Sequence, residues 1–355
     1  MTVSFEPNIK NASARDSETV RCELIGTPGS PYSVKLRAIL RYRRIPFDWI
    51  IRAPQFEADP PPVRPLLVPL LRFPGEATYH IDTSPIAHAL EVRYPGGRSI
   101  IPEDPALAFL NSLFEDLADE WITKMMYHYR WSYADNIAYC KSWIASDLHP
   151  EDDAKKRAQV AEMLAIRQIG RMEMVGCTPE NGPVIEQDFG RVIAALTSHI
   201  AEGGPNYLFG TRPALADFAM FGQLLQLATD PVSAAIMRRD AQDLFDWLRR
   251  LDDASGVNGA WAPSRDVLDW PVVRSLAQIA GDSYLPYLSA NSAAFEVGQP
   301  SFEVQLGGQR FAQPVFGYQV KRFRRLRDAF SALQRDARGR VEPLLRDTDC
   351  LQHIV

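Results

Sequence analysis

Cysteine is scarce and scattered in this chain: Cys22, Cys140, Cys177 and Cys350 form no Cys-x-x-Cys pair and no Cys/His ligand spacing. That pattern argues against a disulfide framework and against a zinc site. Long apolar runs are missing as well. No stretch approaches the ~18 residues of a spanning helix, and the amino-terminal segment lacks the apolar centre of a signal peptide, so a cytoplasmic protein is expected. There is no excess of positive charge: 39 Lys and Arg against 44 Asp and Glu leave a formal charge of -5. Neither nucleic acid nor a membrane is therefore expected as a partner. Internal repeats and long low-complexity tracts are also absent.

What is present is the material of a sizeable soluble fold. The 355 residues are 46% hydrophobic and 23% charged, and that length accommodates two domains. Residues 1–20 are polar and aperiodic, which suits a disordered lead-in. Residues 21–26 then read as a strand, 30–44 as a helix and 47–51 as a second strand. Pro60, Pro61, Pro62 and Pro65 exclude regular helix or central strand across their segment. A strand over 66–73, a turn at Pro74-Gly75-Glu76 and a strand over 78–81 follow, and so tight a connection makes that pair antiparallel. Asp82-Thr83-Ser84-Pro85 opens another helix, and the α/β unit spans 21–98.

From Pro105 the texture turns helical. Leu107, Leu110, Phe114, Leu117 and Trp121 recur three and four apart, the stripe of a long helix with one buried face. Further helices are predicted over 153–175, 186–202, 214–229, 231–251 and 271–280, with the helical domain ending near 252. Residues 253–355 form an extension expected to pack on that domain. In it, alternating Phe302, Val304 and Leu306 before Gly307-Gly308 predict a β-hairpin. A final helix carries Phe323, Leu326, Phe330 and Leu333 on one face among Lys321, Arg322, Arg324, Arg325 and Arg327, which suit a solvated face or a binding patch.

Chemistry concentrates at Thr27-Pro28-Gly29-Ser30-Pro31-Tyr32-Ser33, where a strand hands over to a helix. Ser30 is a good N-cap and Pro31 suits the first helical position. The free amides and dipole of such a turn, with the Ser30 hydroxyl, would stabilise a thiolate whose thiol otherwise titrates near ~8.5. No cysteine lies at this turn, so the thiol would come from a ligand. An ordinary capped helix start explains the same residues. Val68-Pro69 likewise reads either as a trans proline entering a strand or as a cis step, and Asp82-Thr83 either as a plain cap or as a ligand contact.

Together, Ser30-Pro31-Tyr32-Ser33, Val68-Pro69 and Asp82-Thr83-Ser84-Pro85-Ile86 resemble the motifs of cytosolic glutathione S-transferases of the serine type. The resemblance covers roughly 21–251 and leaves the long carboxy-terminal extension outside it. It implies a thioredoxin-like α/β amino-terminal domain and an all-α helical bundle. It further implies that Ser30 is catalytic and donates to the glutathione sulfur. A cis bond at Val68-Pro69 would present the Val68 amide and carbonyl to the cysteinyl backbone. Asp82 would take the γ-glutamyl ammonium, and Thr83 its carboxylate. The segment 207–218 resembles the family's reciprocal cap at a buried helix, with Ala214 where a Ser or Thr is usual; the missing half is worth about 1 kcal/mol unless another group replaces it.

The implied activity is attack of the glutathione thiolate on an apolar electrophilic small molecule, with glutathione as co-substrate and no metal, in a homodimer. Tyr32, Tyr127, Tyr129 and Trp131, beside Met125 and Met126, are candidates for the co-substrate pocket, although core packing is the commoner explanation of such a cluster. Two other functions fit the same motifs: a non-catalytic binding or scaffold protein, and a glutathione-dependent ether- or halide-cleaving enzyme.

Overall fold

The computed structural model describes residues 20–57, 59–201, 203 and 206–355; residues 1–19 of the expected lead-in, and Glu202 at the end of one predicted helix, lie outside them. The amino-terminal unit runs β1 (Cys22–Gly26), α1 (Pro31–Tyr42), β2 (Phe47–Ile51), β3 (Leu70–Arg72) and α2 (Thr83–Arg93). β1 is central, parallel to β2 and antiparallel to β3. Its Leu24 and Ile25 are fully buried, as a strand covered on both faces requires.

The sequence overestimates strand here. Residues 66–69 lie outside β3, because Pro65 before them and Pro69 among them cannot donate to the ladder. The strand expected over 78–81 reduces to a single bridge, in which Leu71 and His80 exchange hydrogen bonds of 3.0 and 2.7 Å.

A run of helices follows: α3 (Pro105–Leu117), α4 (Thr123–Ser132), α5 (Ala134–Leu148), α6 (Ala154–Ile169), α7 (Gly182–Ala201), α8 (Leu215–Thr229), α9 (Pro231–Asp240), α10 (Asp243–Asp252), α11 (Ser264–Val267) and α12 (Pro271–Ile279). A π-helical turn, Ala118–Ile122, joins α3 to α4, so the predicted stripe lies on one long interrupted helix. A second such turn, Ala280–Tyr284, leads into α13 (Leu285–Glu296). The hairpin is β4 (Ser301–Leu306) and β5 (Gln309–Pro314), turning at Gly307-Gly308, where both residues take positive φ that glycine adopts without steric cost. Then come α14 (Gly317–Ser331), α15 (Arg335–Asp347) and α16 (Leu351–Ile354). The helix predicted over 231–251 breaks at Ala241 and Gln242, the one over 153–175 stops at Ile169, and α4, α5, α11, α13, α15 and α16 were not predicted.

A large apolar core runs from the α/β unit to the extension, and a smaller one lies among α4, α5 and α6. The larger joins Leu24 and Leu36 of the α/β unit, Leu110 and Phe114 of α3, and Phe311, Phe330 and Leu345 of the extension. Trp121 packs at 5.3 Å from Tyr287 and 5.5 Å from Phe311, and Phe109 at 5.4 Å from Phe330. The extension is therefore built into the core through α3 and the π turn. Among the described residues no helix is long and apolar enough to cross a membrane.

The altered cap of α8 has its replacement. Asp217 Oδ2 accepts from the Ala214 amide at 2.8 Å and Oδ1 from the Leu208 amide at 3.0 Å. In place of a hydroxyl at 214, Asn111 Oδ1 on α3 accepts from the Ala216 amide at 2.9 Å, and the Ile100 carbonyl from the Leu215 amide at 2.8 Å. A remote side chain thus satisfies a donor that a local one usually takes. Asn111→Ala is expected to destabilise the fold by about 1–3 kcal/mol, because the Ala216 N–H is then buried without a partner. Equal urea midpoints for variant and parent would refute this.

Candidate functional site

β-Sheet register brings three of the four motif segments to one edge. Ile25 pairs with Leu70, so Val68-Pro69 lies just beyond the carboxy-terminal end of β1, where the chain continues to Ser30. Leu71 bridges His80, which puts Asp82 beside that same edge. The Val68-Pro69 bond is cis, as is Arg64-Pro65. Ser30, Val68, Pro69, Asp82 and Thr83 therefore lie toward the same end of the sheet.

Ser30 is the N-cap of α1, and its Oγ accepts from the Ser33 amide at 3.3 Å. The cap uses a lone pair and leaves the hydroxyl proton available to a ligand. The two readings of this serine are therefore compatible. From behind, the helical bundle fixes the turn: Gln226 Nε2 donates to the Pro28 carbonyl at 3.0 Å and Arg130 Nη1 to the Gly29 carbonyl at 2.8 Å. Arg130 is in turn held by Asp230 at 2.7 Å, both buried. Gly29 has no room for a side chain, since a Cβ there would stand 2.9 Å from Ile144 Cγ1 and 3.3 Å from Trp143 Cη2. Helix α5 thus forms an apolar wall directly against the turn.

At the same end of the sheet, Asp82 caps α2: it takes φ 71° and accepts from the Ser84 amide at 3.2 Å. Thr83 is only 4% exposed at the first turn of α2. Beneath it, the Ser84 hydroxyl donates to Glu115 Oε1, and Lys35 Nζ of α1 reaches Glu115 at 2.8 Å and Asp119 at 2.6 Å. Arg322 of α14 closes the group, donating to Ser84 Oγ and to Glu115 Oε2, each at 2.8 Å, and pairing with Asp116. Burial opposes ionisation of Glu115, but Lys35 and Arg322 hold its carboxyl well below the usual range. Asp119, with one carboxylate oxygen unpartnered, is pushed up by burial and by the Glu115 charge against the pull of Lys35. Arg322, expected on a solvated or binding face, is instead 7% exposed and engaged in this network.

The co-substrate candidates are engaged elsewhere. Tyr32 donates to the Asp119 carbonyl at 2.7 Å, and Tyr127 to the Gln168 carbonyl at 2.8 Å. Tyr129 is buried, stacked on Tyr133 at 5.5 Å and tilted against Phe189 at 4.9 Å. Trp131 is buried among Cys140, Ile144 and Leu164, and Met125 and Met126 are core residues. The side chains that do reach the turn, Trp143 and Ile144, lie on a helix the sequence did not reveal, because α5 has no clean apolar stripe: only Asn136, Cys140, Ile144 and Ala145 are buried. Arg52, near the proline-rich segment, is paired with Glu57. Among the described residues no cluster of His, Cys, Asp and Glu is arranged to hold a metal ion.

The π turn also carries Glu120, whose Oε2 accepts from Gln319 Nε2 of the extension at 3.0 Å. Burial pushes its carboxyl from 4.5 up to about 8. The folded protein then holds a proton that the unfolded chain releases, so this contribution to stability is complete below 4.5 and is lost as pH rises through about 8. Glu120→Gln is expected to raise the melting temperature at pH 9 and to change it little at pH 4. A difference from the parent that is the same at both pH values would rule this out.

Two family models match the sequence: "Glutathione S-transferase, N-terminal domain" over residues 24–98 and "Glutathione S-transferase, C-terminal domain" over residues 157–250. Among solved structures, the chain is similar to a glutathione S-transferase from Methylobacterium radiotolerans in complex with glutathione sulfonate, at 20% identity over 68% of this chain and 96% of that one, TM-score 0.40. It is similar also to the beta-etherase LigF from Sphingobium sp., at 17% identity over 72% and 98% of the two chains, TM-score 0.46. A Tau class glutathione S-transferase from mango, Mangifera indica, matches at 16% identity over 73% and 97%, TM-score 0.40. No curated protein matches the sequence. The paired domain models, in this order along the chain and on this α/β-then-helical architecture, place it: the chain belongs to the glutathione S-transferase superfamily.

Proposed function

We propose that the chain is a glutathione transferase of the serine type, in which the Ser30 hydroxyl donates to the glutathione sulfur and holds it as a thiolate. The observation that carries this reading is the convergence of Ser30, the cis Val68-Pro69 step and the Asp82-Thr83 cap at one sheet edge. Glutathione lies across that edge. Its cysteinyl backbone pairs with Val68 as an added strand, its ammonium meets Asp82, and its α-carboxylate meets the first turn of α2 at Thr83. The thiolate gains from the α1 amino terminus and from a hydroxyl proton that the cap leaves free. It attacks an electrophilic carbon of an apolar molecule, and the leaving group departs with the bonding pair.

The electrophile packs against Trp143 and Ile144, the apolar side chains next to the turn at Gly29. The protein works in the cytoplasm as a homodimer. A second reading, a non-catalytic binding protein on the same fold, draws on the extension, whose Arg322 is committed to the group under α2. Retention on immobilised glutathione separates the two: a protein that neither binds the resin nor melts higher with glutathione is the scaffold.

Ser30→Ala is expected to lower kcat for conjugation of an activated aryl halide roughly 100-fold, the usual effect of removing one donor to a developing or bound anion. The pH midpoint of kcat/KM should rise with it, because the thiol loses a stabilising partner. Loss of the cap costs about 1 kcal/mol of stability, so the variant remains folded. Unchanged turnover with an unchanged pH profile would sink the assignment. Trp143→Ala should raise KM for the aryl halide several-fold and leave the glutathione Kd in place, as loss of one aromatic contact predicts. A change confined to glutathione binding would put the electrophile elsewhere.

A further inference from the structure

The extension does more than cover the bundle: α14 sends one side chain to the residue at the ammonium end of the candidate thiol site. Tyr318 Oη donates to Asp82 Oδ2 at 2.9 Å, across 236 positions of sequence. It stands one turn ahead of Arg322, which donates to Ser84 Oγ at 2.8 Å, so α14 grips the first turn of α2 at two points. Tyr318 is nonetheless 38% exposed, so its contact with Asp82 leaves part of the side chain uncovered. Neither family model reaches it, since the two end at residues 98 and 250.

We propose that Tyr318 is a specificity-determining residue that, with Asp82, binds the free ammonium of the thiol peptide. This rests on the glutathione reading above. The phenol gives its single proton to Asp82, and burial, then the nearby Glu120 charge, push it far above the usual phenol range, so it stays a donor toward that carboxylate. Its oxygen keeps lone pairs for a ligand. Asp82 is also incompletely used: Oδ1 takes the Ser84 amide and Oδ2 the phenol, leaving acceptor sites on a group that has about four. An ammonium with three N–H donors thus meets a carboxylate oxygen and a phenol oxygen 2.9 Å apart, a pair of acceptors that one cation can bridge. Thiol peptides without a free amino group lose both contacts. The extension, lying outside the α/β unit, thereby takes part in choosing the thiol.

The test compares glutathione with glutaryl-cysteinyl-glycine, which differs from it only in lacking the ammonium. Titration calorimetry on the full chain is expected to show Tyr318→Phe weakening glutathione about tenfold, the scale of one hydrogen bond to a charged group, and the analogue less than twofold. In an Asp82→Asn background the same substitution should have a much smaller effect. Melting curves without ligand establish that each variant is folded, and Tyr318→Leu repeats the comparison should Phe fail. Equal losses for the two peptides would make Tyr318 a shape element and overturn the proposal. So would an unchanged glutathione Kd, and tighter binding would make the phenol a plug. A parent protein that binds neither peptide overturns the glutathione reading itself, and this assignment with it.

Discussion

Glu115 is the group around which the rest is organised. It is 3% exposed on α3 and receives Lys35 from α1, Ser84 from α2 and Arg322 from α14, so one carboxylate joins α1, α2, the bundle and the extension. Buried ion pairs are poor sources of net stability, because desolvation offsets most of the attraction. They are demanding about geometry, since removing one member leaves a buried charge with a cost of about 3–5 kcal/mol. The arrangement therefore fixes where α1 and α2 begin relative to each other. Those two amino termini are the ones that carry Ser30 and Asp82.

The second constraint acts on the turn itself. Backbone carbonyls at Pro28 and Gly29 accept from Gln226 and Arg130, and Gly222 of α8 lets α1 approach so closely that a Cβ there would stand 2.4 Å from the Pro31 carbonyl oxygen. A hydroxyl that is to hold an anion gains from being placed before the anion arrives, because no reorganisation is then needed. The bundle is thus a support that holds the turn in place.

The other acidic groups near Glu115 are ones whose ionisation burial opposes. Asp119 and Glu120 on the π turn both carry raised carboxyls, through burial in each case, and Glu120 leans on Gln319 of the extension. π-Helical turns widen a helix locally and bring extra side chains to one face. Here the turn crowds Asp119 and Glu120 between the amino-terminal unit and α14, where neither has a full complement of charge.

Much of this was legible in the sequence. Ser30-Pro31, Asp82-Thr83 and Gly307-Gly308 encode caps and a hairpin through contacts within a few residues, and such local chemistry survives in any tertiary setting. The stripe from Leu107 to Trp121 encodes a buried helix face in the same way. The proline-rich strand 66–73 and the strand over 78–81 were overread, since pairing partners decide how much of an apolar run joins a ladder. The roles of Asn111, Arg322, Tyr318, Trp143 and Ile144 belong to the tertiary structure alone. Each acts at a distance of about 100 residues or more along the chain, on a group whose need for a partner exists only after burial, and no local pattern records such a pairing.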